Sequence, residues 1–259
     1  MTVKDIYDAL NSLAPFKIQD KWDNSGLLVG DETKKVTKAL LVLDITNEAV
    51  GEAKEIGAEL IISHHPVIFN PLHCIDSKNP VYKLIENGIS AICSHTPMDL
   101  ASGGINNILF DLLEKELGLV DNREILENIS PEKGYGWVCD LKEAIPATVL
   151  ASKARDILGC SVVRFTDGGM ISRLALCSGS GGSMLNEAIS KGANGFLTAD
   201  IKHDVFISAH NMGISLFDCG HFHTENVLMG FLAEELPKAV EEVEFIVGKS
   251  SYDVVKYIF

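Results

Sequence analysis

Short apolar runs that stop abruptly at polar, metal-seeking side chains recur along this chain, and they limit its fold more than any other feature. Leu60-Ile-Ile-Ser stops at His64-His65-Pro66, and Ile89-Ser-Ala-Ile-Cys stops before His95-Thr-Pro-Met-Asp99. Ile214-Ser-Leu-Phe stops before Asp218-Cys-Gly-His-Phe-His-Thr-Glu225. Unbroken apolar runs of about four to eight residues suit strands buried on both faces. A strand of Leu and Ile has no packing use for two adjacent imidazoles at its tip.

Helical patterns fill the intervals. The spacing predicts a first helix with Ile6, Leu10 and Leu13 on one face and Thr2 as cap, then a strand over 39–44 and a helix over 47–57. Strand 59–63, helix 80–87, strand 89–93 and helix 103–117 follow. The polar stretch 121–136, with Pro131, Gly134 and Gly136, is the expected boundary between domains over 1–128 and 129–259. Beyond it the pattern predicts helix 146–158, strands 161–165 and 172–177, helix 183–191, strand 194–198, helix 203–211 and strand 214–218. A helix over 223–235 and strands near 242–247 and 252–258 close the chain and are free to pack back on the first domain. The expected class is α/β, with two similar domains of layered, largely parallel or mixed sheets.

Composition narrows the function. The 259 residues are 46% hydrophobic and 22% charged, as in a globular protein. A formal net charge of −14 repels phosphate backbones, so general nucleic-acid binding is not expected. No run reaches the roughly 20 apolar residues of a membrane span, and the first residues lack a signal peptide's basic start. Six cysteines without close pairing read as reduced thiols of a cytoplasmic protein. Cys219 alone stands where a ligand could, although strand-end cysteines mostly pack.

In open α/β sheets, ligands bind beyond the carboxyl ends of the strands. Five of the eight histidines follow the three runs above. His221 and Glu225 are related as i and i+4, so one helix face can present both. With His64, His65 and Asp99 they make three imidazoles and two carboxylates, more than one tetrahedral zinc takes. That set suits a pair of divalent ions, zinc, iron or manganese, sharing a carboxylate. His95 is the expected catalytic proton carrier. His223 is either a partner to a ligand or an ordinary hydrogen-bonded histidine. Ser178-Gly-Ser-Gly-Gly-Ser183 lacks the P-loop lysine. Through Ser180, Gly181 and Gly182 it would either let backbone N–H groups approach a substrate or form a tight turn. Asp200 and His203 would orient substrate or cap a helix.

These segments in this order resemble the GTP cyclohydrolase I type 2 homologue family, also called the NGG-interacting-factor-three-like family. Trp22-Asp-Asn24 with Gly26-Leu-Leu28, Leu43-Asp-Ile-Thr46, Ser63-His-His-Pro66, His95-Thr96 with Asp99, and Gly220-His221 with Thr224-Glu225 carry the resemblance, which runs nearly end to end. It implies that His64, His65, Asp99, His221 and Glu225 are the metal ligands. It also implies a toroidal homohexamer, a trimer of dimers, in the compact form without an inserted domain. Pro97 stands where Asn is usual, Trp137 and Cys139 where Arg and Gly are commoner, and Ala199 where Gly is usual. The expected function is a dinuclear metal-dependent hydrolase that opens the ring of GTP or a related nucleotide. The alternative is a non-catalytic metal-binding assembly or regulatory protein. A metallophosphoesterase, suggested by Gly220-His-Phe-His223, ranks last because Asp44-Ile-Thr46 lacks the histidine such enzymes carry there.

Overall fold

The computed structural model describes residues 1–258, which divide into two compact units. One comprises Met1–Gly104 with Leu228–Tyr252; the other comprises Ile105–Val227 with the residues from Asp253 onward.

The first unit is built on a five-stranded sheet in the order Gly26–Val29, Ser90–Cys93, Leu60–Ser63, Lys38–Val42, Glu244–Val247. The last four are parallel and Gly26–Val29 joins antiparallel at the edge. Leu60–Ser63 and Ser90–Cys93 are buried along their whole length, as their unbroken apolar character requires. Register pairs Val42 with Ser63 and Ser63 with Cys93, so these strands end level. Ser94 N–H then donates to Ser63 O at 2.9 Å and His65 N–H to Leu43 O at 3.0 Å, which carries the ladder one step past the strands. Leu40, Val42, Ile61 and Ala91 pack with Val50, Ala53 and Leu84 of the covering helices. Thr2 caps helix Val3–Leu13 through a reciprocal box with Asp5, and Thr46 caps Asn47–Ile56.

The second unit has six strands in the order Glu124–Ser130, Lys133–Pro146, Met170–Leu176, Gly195–Thr198, Ser215–Asp218, Arg164–Phe165. The three apolar runs are parallel in its centre; the flanking strands are antiparallel. Asp218 pairs with Thr198, so two strands again end level.

Several elements differ from the sequence pattern. The polar stretch 121–136 is a hairpin rather than a linker. Its outer strand is an edge, with Leu126 its one buried residue, so polarity there is compatible with pairing. Gly134 and Gly136 mark places where a side chain would overlap Glu127 O and Leu176 O, not breaks in structure. The units divide at Gly104 because helix Ile105–Leu117 buries Leu109, Phe110 and Leu113 in one core with Leu174 and Phe217. Cys139 lies in that core and Trp137 packs against it, so both side chains serve packing. Strand 161–165 shrinks to Arg164–Phe165, and 252–258 is irregular. The helix expected from 223 begins at His221, breaks after Glu225 and resumes over Val227–Ala239. Among the described residues, no helix is long and apolar enough to cross a membrane.

Ile61 is fully buried between two parallel neighbours. Ile61→Ala is expected to cost about 2–5 kcal/mol, read as a lower urea midpoint by circular dichroism. An unchanged midpoint would show that this strand is not central to the core.

Candidate metal centre

A neutral imidazole carries one N–H and one lone pair, and the acceptor beside each ring decides which nitrogen binds a cation. In the first unit, the level strand ends bring His64, His65 and His95 together, with ring nitrogens within 4.8 Å of one another. His64 is wholly buried, and its Nδ1 lies 3.0 Å from Ser94 O. His65 Nδ1 lies 2.8 Å from Asp44 Oδ1, and His95 Nδ1 lies 2.9 Å from Asp23 Oδ1. Each acceptor holds the proton on Nδ1 and leaves the lone pair on Nε2. His64 Nε2 faces Asp99 Oδ1 at 3.6 Å. Asp99 projects from the helical turn Thr96–Leu100, where Pro97 sits in the first turn and its missing N–H costs no hydrogen bond.

Asp23 is the member of this group that the histidine pattern does not reveal. Its carboxylate is buried and accepts from His95, from Thr96 Oγ1 at 2.6 Å and from Ser25 Oγ at 2.7 Å. Burial alone would raise its pKa, but the bonds from His95, Thr96 and Ser25 outweigh it and hold the carboxyl far below the usual range. Trp22 and Phe69 stand beside His95, with ring centroids 5.7 and 6.4 Å away, and Trp22 is 57% exposed.

The second unit repeats the device. His221 Nδ1 lies 2.7 Å from Asp200 Oδ2, while its Nε2 lies 2.8 Å from the buried Glu225 Oε2. A lone-pair nitrogen and a carboxylate oxygen at that distance require a cation, either a proton or a metal ion. Gly179, at φ +60°, explains how Glu225 fits: a Cβ there would overlap Glu225 Oε1. The glycine-serine loop is thus shaped by close approach to a candidate ligand. Its amides at Ser178, Gly179 and Gly181 donate to Asn106 Oδ1, Thr224 Oγ1 and Thr198 Oγ1, so these three are committed within the protein. Ser180 and Gly182 flank them. His203 opens helix His203–Met212 on the surface. Asp200 does not cap that helix; its carboxylate is turned to His221.

His223 pairs with Asp253 at 3.3 Å, which ties the irregular C-terminal segment to this unit. Cys219 is buried, and its hydrogen bond with Cys160 together with burial holds the thiol well above its usual range, unlike a ligand thiolate. A cavity of about 380 Å³ opens beside His221, with Arg164, Asp200, Phe222, Asp253 and Tyr257 among its walls. Ring nitrogens on three buried or half-buried histidines, a carboxylate beside them, and a histidine–carboxylate pair in the other unit are donors of the kind divalent ions take. The chemistry of the residues therefore fits metal.

The model of the family described as Duf34/NIF3 (NGG1p interacting factor 3) matches residues 1–253. The chain belongs to the DUF34/NIF3 family. A Clostridium perfringens relative named GTP cyclohydrolase 1 type 2 homolog is 31% identical, over 100% of both chains. A Helicobacter pylori protein named GTP cyclohydrolase 1 type 2 is 33% identical over 90% of this chain and 91% of its own. The crystal structure of a Staphylococcus aureus hypothetical protein superposes with a TM-score of 0.90 at 28% identity, covering 100% of this chain and 99% of that one. This DUF34/NIF3 chain thus carries its candidate donors on a fold shared end to end with its relatives.

The depressed carboxyl of Asp23 has a pH consequence. A folded-state pKa below the unfolded value contributes stability that is fully present above about pH 4 and is lost as pH falls towards the folded value. Asp23→Asn should therefore destabilise the protein at pH 7 by on the order of 1–3 kcal/mol, the range for a lost charged hydrogen bond. The gap to wild type should narrow steadily below about pH 4 in thermal melts. A gap independent of pH would contradict the charge argument.

Proposed function

We propose that this protein is a dinuclear metal-dependent hydrolase of the cytoplasm, acting on a nucleotide of the GTP class. In this reading His64, His65 and Asp99 from the first unit and His221 and Glu225 from the second hold two divalent ions of zinc, iron or manganese. The observation that carries it is the shared tautomer: every candidate histidine has its Nδ1 proton held by an acceptor, which reserves Nε2 for a cation. The names of relatives that match over nearly their whole length support the substrate class.

Bound ions would supply Lewis acidity, lowering the pKa of water and polarising the substrate's reacting centre. The protein's own residues do the rest. Asp23 keeps His95 in the tautomer whose Nε2 can accept a proton during hydrolysis. Glu225, buried beside Gly179, contributes a carboxylate shielded from water. Ser180, Gly182 and His203 are the proposed substrate contacts, alongside the Arg164 and Tyr257 walls of the cavity, while the Gly181 amide is already given to Thr198. The resemblance adds a homohexamer, a trimer of dimers, to this proposal.

The test is metal analysis of the purified protein together with turnover of a nucleotide panel that includes GTP, followed as formate release. About two equivalents of divalent metal are expected. Glu225→Ala should lose both metal and turnover. Stoichiometric metal with no turnover of any nucleotide would favour a metal-binding assembly protein. Failure to take up metal at neutral pH would sink the ligand set.

A further inference from the structure

Asp200 is the one non-glycine residue with a positive φ among the described residues, at +52°. That region is sparsely populated by residues with a Cβ, although Asp and Asn tolerate it best. The conformation is imposed from both sides. Ala199 N–H donates to Gly179 O at 2.9 Å, and Ile201 N–H donates to Asp218 Oδ2 at 3.2 Å. Arg164 Nη2, which also pairs with Asp218, donates to Ile201 O at 3.2 Å. Gly would serve this backbone at least as well, so the side chain must be the reason for Asp.

The carboxylate is 53% exposed, and its hydrogen bond to His221 Nδ1 is 2.7 Å long. Water can replace an acceptor that accessible, so the bond adds little to folding. What water cannot do is hold the ring in one tautomer and one orientation. Strain kept without a return in stability points to function.

We propose that Asp200 is a positioning residue for His221. It keeps the proton on Nδ1 and aims the Nε2 lone pair towards Glu225. This rests on the metal-binding reading above. It separates Asp200 from the substrate-orienting role that its strand-end position suggests.

The experiment titrates wild type, Asp200→Gly and Asp200→Asn with zinc against a chromophoric chelator, and melts all three without metal. Asp200→Gly should keep or raise the metal-free Tm, because it relieves the positive φ, yet bind zinc about 10- to 100-fold more weakly. Asp200→Asn keeps an acceptor oxygen and tolerates the backbone, so its loss should be smaller than that of Asp200→Gly. Wild-type zinc affinity in Asp200→Gly would overturn the proposal, whether or not the KM for a nucleotide changed. So would a loss of affinity matched by a fall in metal-free Tm, since that is a purely structural effect. Wild type that fails to bind zinc at all would instead overturn the metal reading beneath it.

Discussion

The position of one proton on each imidazole is the constraint on which this site depends. A ring that donates from Nδ1 to a fixed acceptor has one nitrogen left, and that nitrogen points where the backbone aims it. His64, His65, His95 and His221 all meet such an acceptor within hydrogen-bond distance. The acceptors come from strand ends or loops, not from the histidines' own segments. Ser94 can reach His64 because Ser63 and Cys93 are paired, and Asp200 can reach His221 because Thr198 and Asp218 are paired. Sheet register is therefore converted directly into ligand chemistry.

The acidic surface has a place in the same scheme. A net charge of −14 includes carboxylates that also accept hydrogen bonds from imidazoles. Asp44 and Asp200 do this while half exposed, and Asp23 does it while buried. Burying Asp23 is tolerated because several donors converge on it, which replaces the water it gives up.

Much of this was legible in the residues. The apolar runs and their polar stops located the sheet centres, and His64, His65, Asp99, His221 and Glu225 were visible as residue types with ligand spacing. The edges were not. The hairpin over 124–146 is polar on its exposed face, and its glycines are spacers against neighbouring strands, so periodicity and turn residues both pointed to a linker. The residues behind the ligands were equally hidden. Asp23 lies 72 positions from His95 and Ser94 lies 30 from His64, distances that only tertiary structure closes. Gly179 looked like part of an anion cradle because a glycine-serine turn before a helix has that appearance. Its actual constraint is the Glu225 side chain, a contact no local pattern encodes.

The rings differ in the acceptor that holds each one. His64 is fully buried and is held by a neutral backbone carbonyl, which spares the core an unpaired anion. His65 and His221 are partly exposed and are held by aspartates whose charge stays in contact with water. A carboxylate draws the Nδ1 proton more strongly than a carbonyl does, so these two rings are the more electron-rich donors. The first unit also holds His95 by the buried Asp23 carboxylate, so it offers two carboxylate-held imidazoles and one carbonyl-held one, and the second unit offers one carboxylate-held imidazole. The candidate donors are therefore not equivalent: they differ in the charge and exposure of the acceptor that fixes each ring.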